Sequence, residues 1–579
     1  MSVRRSQPRE FKARPLPENW EQLQRELNVS PVLARVLSAR GVASGSDVDL
    51  TLACMLPPDG LAGIQHAAAR LVYAIDNHER IFVSGDFDAD GATASALCVS
   101  LLREFGAKHV GYVVPNRFQF GYGLTRPYVE SLLEQNPDVI ITVDNGISSN
   151  DGIAFARDQG IDVIVTDHHL PPEHLPAANV IVNPQLDKGS FPSAPAGVGV
   201  AFYLMVELRR QLRNADHFGK NRLEEPNVAS YLDLVALGTI VDLVPLDQNN
   251  RILVGNGLQR MRSGRCRPGI AALCEASNVD SATINEEDLG YRLGPRINAA
   301  GRLEDISLGI QALIANDLRE ARKFVSKLNA INVERREIQT EMTDMALRYL
   351  DTVAADDRKG ICIHEASFHE GVVGLVANQI VTKLSRPAVV FAVANDGKSE
   401  MLKGSARSTP NVHIRDVLAD IDARYPHLIK SFGGHAMAAG LTIHGSSLDR
   451  FSNLFESAVA ARTPAESFGS TVHTDGELKP NELSMDLVRE IDRWGPWGQE
   501  FERPLFHGSF NVVSEVPVGN RKHVKLVLKM DARVVDAIAF NQRPVEAPAV
   551  EISYRPSANR FAGVTTLQLI VESLQPSAM

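Results

Sequence analysis

The chain has 579 residues, of which 44% are hydrophobic and 22% are charged, and its formal net charge is −10. These values are typical of a folded protein with several domains and exclude a disordered or collagen-like chain. The five cysteines show no C-x-x-C spacing, which argues against a thiolate metal site and fits a reducing compartment. The N-terminus lacks the apolar segment of a signal peptide, and no uninterrupted apolar run reaches membrane length. We therefore expect a cytoplasmic protein without a membrane partner.

Residues 1–50 are predicted to form a polar N-terminal extension with helical patches at Trp20–Leu27 and Pro31–Ala39, and we find no chemistry there. From about residue 65, helical and strand patterns alternate, and the strands are almost continuously apolar. This alternation predicts a parallel sheet covered by helices on both faces. The predicted helices are 64–77, 93–105, 128–134 and 151–159, and the predicted strands are 81–83, 109–114, 139–143, 162–165 and 180–182.

A short acidic loop follows the first predicted strand. Asp86, Asp88 and Asp90 occupy alternate positions directly before a run of small residues that starts a helix. Carboxylates crowded into one loop repel each other unless a cation neutralises them, so the loop predicts a divalent metal site. A plain polar turn is the alternative for any single pair of these acids.

Two further strands end in polar clusters, and parallel strands place such clusters at one edge of the sheet. One strand runs into Asp144 and another into His168 and His169, while Asp242 ends an apolar helical stretch and can reach the same edge. Carboxylates and imidazole without thiolate select Mn²⁺ or Mg²⁺ ahead of Zn²⁺. The number of candidate ligands is larger than a single ion needs. Enzymes that hydrolyse phosphate esters often hold two ions about 3.5 to 4 Å apart, and we expect that arrangement here.

The adjacent pair His168 and His169 would face opposite sides if both residues lay on the strand. In that case the two imidazoles would not bind the same ion. A polar loop without a metal role is the alternative for an isolated histidine pair.

Apolar residues recur at helical spacing from Asp317 to Leu350, which predicts a helix long enough to join two domains. A coiled-coil seam is the alternative, although Arg335 interrupts the apolar stripe. Residues 360–455 then predict a second α/β unit with strands 360–364 and 388–393 and a helix at 372–384. Its glycine-rich segments allow backbone N–H groups to approach phosphate oxygens, and Arg407 can bind a phosphate through its guanidinium group.

From about residue 470 the pattern becomes all-β, with five predicted strands at 505–513, 524–530, 534–540, 550–554 and 561–572. Five short strands predict an OB-like barrel, a fold that often binds single strands. In the second of these strands Val524, Leu526, Leu528 and Met530 share one face. Basic residues and Val527 occupy the other face, which predicts a DNA groove or an ordinary solvated surface. The aromatic residues expected to stack on bases in such a groove are Phe506, Phe510 and Tyr554.

Several motifs resemble those of the DHH phosphoesterase superfamily: GDFDADG, TVDNG, DHH and GTIVDLVPL, in this order. Later motifs are similar to those of the RecJ family of bacterial single-strand-specific 5′→3′ DNA exonucleases. These are GPRINAAGR, FHEGVVGLVANQI, GSARS, FGGHAMAAG and RWGPWGQEFERPLF. DHH alone is a weak signal, whereas this number of motifs in one order is specific.

The resemblance implies roles for the matching positions. The implied metal ligands are Asp88, Asp90, Asp144 (as the bridge), His168 and Asp242, and Asp86 completes or supports the first ion's shell. His169 would assist at the scissile phosphate. The candidate substrate-binding residues are Arg117, Arg296, Asn298, Arg302, Ser405, Arg407, Gly433, Gly434 and His435.

We expect an α/β protein with a parallel-sheet DHH domain, a smaller DHHA1-like domain joined by a long helix, and a C-terminal OB-like barrel. The expected boundaries are 1–50 for the N-terminal extension, 51–260 for the DHH domain and 261–350 for the connecting region with the long helix. The DHHA1-like domain is expected at 351–460 and the OB-like domain at 461–579. The expected activity is two-metal hydrolysis of single-stranded DNA from a 5′ end to 5′-mononucleotides in repair and recombination. The resemblance alone implies the polarity, the preference for DNA, and single-strand-binding protein and a helicase as partners. A small-substrate DHH phosphodiesterase and an inactive replication scaffold are the alternatives.

Overall fold

The structure is a computed structural model that describes residues 9–116, 119–352, 358–394, 400–462, 471–561 and 563–577. The chain divides into two compact units. Unit 1 contains Met1–Cys54, Pro245–Ile252 and Gly469–Met579, and unit 2 contains Met55–Val244 and Leu253–Phe468. Among the helices of the described ranges, none is both long and apolar enough to span a bilayer.

The N-terminal segment of unit 1 contains one strand and two short helices, β1 (Glu10–Ala13), α1 (Trp20–Leu27) and α2 (Pro31–Ser38). Helix α2 begins after Ser30, whose hydroxyl caps the Leu33 amide, and Pro31 occupies the first helical position. Both predicted helical patches are confirmed.

Unit 2 begins with the predicted parallel sheet, whose five strands are ordered β3-β2-β4-β5-β6. Every pair in it is parallel, and β4 is buried along its whole length. The elements are α3 (Ile64–Asp76), β2 (Arg80–Gly85), α4 (Ala89–Glu104), β3 (His109–Val113), α5 (Arg126–Leu132), β4 (Val139–Val143), α6 (Asn150–Asp158), β5 (Asp162–Thr166) and β6 (Val180–Val182).

A helical region follows the sheet and ends in the predicted long helix. Its helices are α7 (Gly197–Asn214), α8 (His217–Asn221), α9 (Leu232–Asp242), α10 (Gln248–Arg262), α11 (Pro268–Ala276), α12 (Glu286–Asp288), α13 (Gly294–Leu303), α14 (Ser307–Ile314) and α15 (Leu318–Thr352). A π-helical turn, Leu289–Leu293, leads directly into α13. Helix α15 has 35 residues and packs against α11, α13 and α14 near its start and against α16 (Val373–Leu384) further along.

The second α/β region of unit 2 contains a mixed sheet in the order β10-β11-β9-β8-β7. Only β7 and β8 pair in parallel, and the other pairs are antiparallel. The remaining elements are β7 (Ile361–His364), β8 (Ala388–Val393), β9 (Met401–Arg407), α17 (Ile414–Arg424), β10 (Ile429–Gly434), β11 (Ala438–His444) and α18 (Leu448–Arg462). The predicted second α/β unit is thus confirmed.

The C-terminal part of unit 1 contains the predicted five-stranded closed barrel, with strand order β13-β14-β15-β17-β16. In chain order, its first and fourth strands have 13 residues each and extend well beyond the predicted 505–513 and 550–554. The fifth strand has nearly its predicted length but is shifted towards the C-terminus. The elements are β12 (Thr471–Thr474), α19 (Met485–Arg493), β13 (Phe506–Val518), β14 (His523–Met530), β15 (Arg533–Ala539), β16 (Ala549–Phe561) and β17 (Val564–Pro576).

The barrel confirms the two faces predicted for β14. Val524, Leu526 and Leu528 are fully buried, whereas Lys525 and Lys529 are exposed. The prediction that three aromatic residues would stack on bases is wrong, because Phe506, Phe510 and Tyr554 are at most 2% exposed and pack against one another. They fill the barrel interior and are not accessible to a base.

A buried ion pair ties the N-terminal segment to the C-terminal part of unit 1. The Arg40 guanidinium donates to both oxygens of Asp475, at 2.6 and 2.9 Å, and both side chains are at most 2% exposed. Arg40 also donates to the Glu502 carbonyl at 2.6 Å. Strand β1 pairs in parallel with β12 in the same unit. The N-terminal residues are therefore part of the unit that contains the barrel.

We expect Arg40→Ala to lower the free energy of unfolding of unit 1 by about 3 to 5 kcal/mol, because it leaves the Asp475 carboxylate buried without its counter-charge. Calorimetric unfolding of the full chain measures this loss. Arg14→Ala is the matched control, since the Arg14 side chain is 29% exposed and lies 4.0 Å from the same carboxylate. It should cost less than about 1 kcal/mol. Equal losses in both variants would contradict the assigned role of the buried pair.

Candidate metal centre

The acidic loop joins β2 to α4 and includes the first turn of that helix. The Asp88 carboxylate caps α4 by accepting the N–H groups of Asp90, at 2.9 Å, and Gly91, at 3.1 Å. The helix was predicted from Thr93 but begins at Ala89. Asp90 therefore lies within its first turn, where its side chain points inward and is 1% exposed.

Asp90 is also bound by a segment more than a hundred residues further along the chain. Its two oxygens accept the backbone N–H groups of Gly197, at 2.6 Å, and Val198, at 3.0 Å, at the start of α7. A helix N-terminus favours a negative charge. Burial and the neighbouring charge of Asp88 nevertheless outweigh these bonds and raise the pKa of Asp90 to about 7.

Asp144 follows β4 in a left-handed backbone conformation, with φ of 62°. Its side chain is buried against α7 so closely that a Cβ at Gly197 would lie 2.4 Å from the Asp144 Cβ. Burial and the charges of Asp90, Asp88 and Asp242 raise the pKa of Asp144 well above its ordinary value. The fold thus forces this carboxylate into an acidic environment.

His168 lies between two of the acids. Its Nε2 atom is 3.1 Å from Asp144 Oδ1 and 3.4 Å from Asp242 Oδ2. Burial, together with the charge of His169, lowers the pKa of His168 to about 4, so the imidazole is neutral at physiological pH. Within the described ranges neither Asp144 Oδ1 nor His168 Nε2 makes a hydrogen bond. Buried lone-pair donors without hydrogen bonds, directed at one point, fit a cation.

His169 has a different environment. Its Nδ1 atom is 2.7 Å from Asp167 Oδ1, and that carboxylate is 1% exposed. Burial opposes a charge on His169, but the hydrogen bond and charge of Asp167, with the charges of Asp242 and Asp86, raise its pKa to about 9. His169 is therefore protonated at neutral pH. Sequence reasoning assigned no role to Asp167, which holds this imidazolium.

The two histidines do not face opposite sides as expected for strand residues. Strand β5 ends at Thr166, so both histidines lie beyond it, and their ring centroids are 4.5 Å apart. Ligand atoms of both histidines and of Asp144 lie within 4.8 Å of one another, so position alone does not separate the two imidazoles. They differ in protonation, because His168 is neutral and His169 is charged.

The ligand atoms form compact groups in which all atoms lie within 4.8 Å of one another. One group contains Asp86, Asp88 and Asp144, and another contains Asp90, His168 and Asp242. The short contact between Asp144 and His168 joins the two groups. All six ligands proposed from the sequence thus come together, and the set of carboxylates with a neutral imidazole fits Mn²⁺ or Mg²⁺.

A cationic cavity of about 500 Å³ lies in the second α/β region of unit 2 and reaches α13. Arg302, Lys403, Ser405, Arg407 and Gly433 are among its lining residues. Arg407 donates to the Ser405 hydroxyl at 2.9 Å, and burial lowers the pKa of its guanidinium. The Lys403 ammonium lies 3.3 Å from the Glu370 carboxylate. Three cations against one carboxylate leave a positive cavity, which suits a phosphate.

The other proposed substrate-binding residues have varied positions. Gly434 (φ of 141°) and His435 form the turn between β10 and β11. Burial lowers the pKa of His435, and the charges of His169, Arg415 and His413 lower it further. Arg296 donates to three acceptors within the fold, and Asn298 accepts a hydrogen bond from the acidic loop. Arg117 lies outside the described residues.

Tyr122 is a further residue at this site that sequence reasoning missed. Its hydroxyl lies 3.4 Å from His169 Nδ1 and 3.5 Å from the Asp144 carbonyl, while its ring is 47% exposed and edge-on to Phe87. Burial of the hydroxyl among carboxylates raises the pKa of Tyr122. The aromatic and glycine residues of RFQFGYG after β3 were the available signal.

Three segments match known domain families. Residues 80–239 match the DHH family, N-terminal domain, residues 357–461 match the DHHA1 domain, and residues 474–573 match the RecJ OB domain. The chain is 43% identical over 558 residues to "Single-stranded-DNA-specific exonuclease RecJ" of Haemophilus influenzae, an alignment that covers 94% of this chain and 96% of the relative. The chain belongs to the RecJ family.

Other members support the assignment. The RecJ of Escherichia coli is 42% identical over 561 residues, which cover 94% of this chain and 96% of the relative. The crystal structure of RecJ from Thermus thermophilus in complex with Mn²⁺ has a TM-score of 0.82 and 30% identity, covering 98% of this chain and 80% of that one. The Mg²⁺ complex of the same RecJ has a TM-score of 0.77 and 28% identity, and the match covers 98% of this chain and 78% of that one.

The raised pKa of Asp90 predicts a pH dependence of stability for the metal-free protein. An aspartate in the unfolded chain has a pKa of about 3.9, whereas burial and the charge of Asp88 raise the pKa of Asp90 in the folded protein to about 7. Between these values the folded state binds a proton that the unfolded state lacks, so stability falls as pH rises. In EDTA we expect the melting temperature to fall between pH 5 and pH 8, and Mn²⁺ should raise it more at pH 8.

Asp90→Asn tests whether this carboxyl is responsible. The variant cannot ionise at this position, so its melting temperature in EDTA should fall less over the same pH range. An identical pH dependence in both proteins would show that Asp90 is not the titrating group.

Proposed function

We propose that this protein is a metal-dependent exonuclease that hydrolyses phosphodiester bonds of single-stranded DNA from a 5′ end and releases 5′-mononucleotides in repair and recombination. The observation that carries the proposal is the pair of ligand groups joined through Asp144 and His168. Family membership supports the substrate, because the relatives are named single-stranded-DNA-specific exonucleases.

Two divalent cations, Mn²⁺ or Mg²⁺, fit this site. Asp86, Asp88 and Asp144 would hold one ion, and Asp90, His168 and Asp242 would hold the other. When bound, the cations neutralise charge on the phosphate and activate water for attack on phosphorus. Neutral His168 needs no deprotonation to bind an ion, whereas the raised pKa values of Asp90, Asp144 and Asp242 mean that cation binding at these carboxyls would release protons.

His169 acts on the scissile phosphate as a cation. Asp167 holds its Nδ1 atom and keeps the ring protonated, so the Nε2–H group can donate to a phosphate oxygen. The same orientation lets the imidazolium stabilise charge that develops on the leaving oxygen. Tyr122, beside His169, presents a half-exposed ring against which the terminal nucleotide can pack.

The cationic cavity holds a second phosphate of the strand. Arg302 and Arg407 can each donate two hydrogen bonds to phosphate oxygens, and Ser405 and the Gly433 backbone add neutral donors. His435, in the turn after β10, is proposed to contact the substrate phosphate, as the family resemblance implies. We retain Arg117 as a proposed phosphate contact from the sequence.

The family also bears on location and partners. We propose that the protein works in the cytoplasm with single-strand-binding protein and a repair helicase. All five cysteines are free thiols, as a reducing compartment requires.

The experiment is digestion of a 5′- or 3′-labelled single strand and of the matching duplex, with Mn²⁺, Mg²⁺ or EDTA. We expect the single strand alone to be degraded, with immediate release of the 5′ label as a mononucleotide, and no reaction in EDTA. A dinucleotide substrate in parallel tests the small-substrate alternative, which faster turnover of the dinucleotide would favour.

Asp144→Asn should lower the turnover at least roughly 100-fold, because metal ligation is worth several kcal/mol of transition-state stabilisation. Asparagine is chosen because it tolerates the left-handed conformation at this position. Asp151→Asn, at an exposed aspartate in α6, is the matched control and should cut normally. Undiminished cutting by Asp144→Asn would refute the assignment of this residue.

The exposed basic face of β14 is proposed to bind the strand further from its end. In Lys525→Ala/Lys529→Ala the slope of log affinity against log salt should become shallower by about 1.4, because each lost phosphate contact contributes about 0.7. Titration of the full-length protein with a long fluorescent oligonucleotide measures the slope. Lys188→Ala, an exposed lysine of unit 2, is the control. An unchanged slope in the double variant would remove β14 from the binding surface.

A further inference from the structure

The helical turn of α13 from Asn298 to Arg302 contacts the acidic loop on both sides of Asp88. Asn298 Oδ1 accepts the backbone N–H of Ala89 at 2.7 Å. Gly301 lies so close to the loop that a Cβ at this position would be 1.8 Å from the Phe87 carbonyl oxygen. Any movement of this turn therefore moves the backbone that carries Asp88.

The same turn contacts the cationic cavity. Arg302 follows Gly301 directly and lines the cavity, and its Nη1 atom donates to the Gly371 carbonyl at 3.4 Å. A Cβ at Gly371 would lie 2.1 Å from the Arg302 carbonyl oxygen, so the backbones of the two segments also touch. A phosphate bound by Arg302 would pull on the turn that supports the metal ligands.

The beginning of α13 is fixed in place. Arg296 donates to Asn329 Oδ1 at 3.1 Å on α15, and also to the carbonyls of Arg292 and Ala276. Because these bonds anchor the helix at Arg296, a force on Arg302 acts on the following turn, from Asn298 to Arg302, and does not displace the whole helix.

We propose that α13 couples the cationic cavity to the metal centre, with Asn298 as a positioning residue for the acidic loop. A phosphate held in the cavity raises the affinity of the loop for divalent cations. By thermodynamic reciprocity, bound cations raise the affinity for the phosphate. This inference rests on the proposed function and adds to it a linkage between metal loading and strand binding.

The test is a calorimetric titration of the full-length protein with Mn²⁺, with and without saturating thymidine 5′-monophosphate. For the wild type we expect Mn²⁺ to bind at least about five-fold more tightly with the nucleotide present. In Asn298→Ala we expect about ten-fold weaker Mn²⁺ binding without nucleotide, because an outer hydrogen bond to a ligand-bearing loop is lost. The nucleotide effect should also disappear in this variant.

Two variants separate positioning from a general loss of structure. Asn298→Asp keeps an oxygen that accepts the Ala89 N–H, so it should restore both the Mn²⁺ affinity and the nucleotide effect. Asn329→Ala removes one hydrogen bond to α13 but leaves Arg296 bonded to the carbonyls of Arg292 and Ala276, so it should behave as the wild type does. Melting temperatures in EDTA show whether Asn298→Ala and Asn329→Ala are folded to the same extent.

A nucleotide effect that persists in Asn298→Ala would come from direct contact between nucleotide and cations, and it would overturn the coupling. A wild type that degrades single strands but shows no nucleotide effect would overturn the coupling alone. A wild type that binds no Mn²⁺ would overturn both this inference and the proposed function.

Discussion

Repulsion between buried carboxylates is the constraint on which the structure of unit 2 depends. Burial and mutual charge raise the pKa values of Asp90, Asp144 and Asp242, so the metal-free fold favours protons on groups that are ionised in water at neutral pH. The imidazole in contact with Asp144, that of His168, is kept neutral by burial, and the protonated His169 is paired with Asp167. Divalent cations held by these carboxylates would supply the missing positive charge.

The surrounding helices prevent the acids from relieving this repulsion by moving apart. Helix α7 packs against Asp144 through Gly197, and α9 packs against Asp90 through Gly238, where a Cβ would lie 2.7 Å from Asp90 Oδ1. Larger residues at these glycines would push the ligands out of position. Close backbone packing thus keeps the metal centre preorganised.

The sequence predicted the site through one rule, that parallel strands end at the same edge of a sheet. Applied to the sequence alone, that rule places the acidic loop, Asp144 and His168 together. The hydrogen bonds from the start of α7 to Asp90 join residues 107 and 108 positions apart. No local pattern encodes such a contact, because it depends on how α7 packs over the sheet. The support that Asn298 gives to the loop was missed for the same reason.

The barrel shows a different limit of sequence reasoning. Strand alternation predicted which residues of β14 share a face, and burial confirms it. The prediction that Phe506, Phe510 and Tyr554 stack on bases was wrong because it required their side chains to be accessible. Closure of the barrel turns the face that carries them into the interior. Periodicity indicates that two faces differ, whereas tertiary packing determines which one is buried.

The net charge of −10 is therefore a poor guide to the partner of this chain. Several of its negative charges belong to the proposed metal ligands, and without cations they would repel the phosphates of a DNA strand. With the proposed cations bound, these groups would no longer oppose the approach of a phosphate, and α13 contacts both the acidic loop and the cationic cavity. On this electrostatic argument the proposed site would accept DNA only when it is loaded with metal, so that cation binding and strand binding would depend on each other.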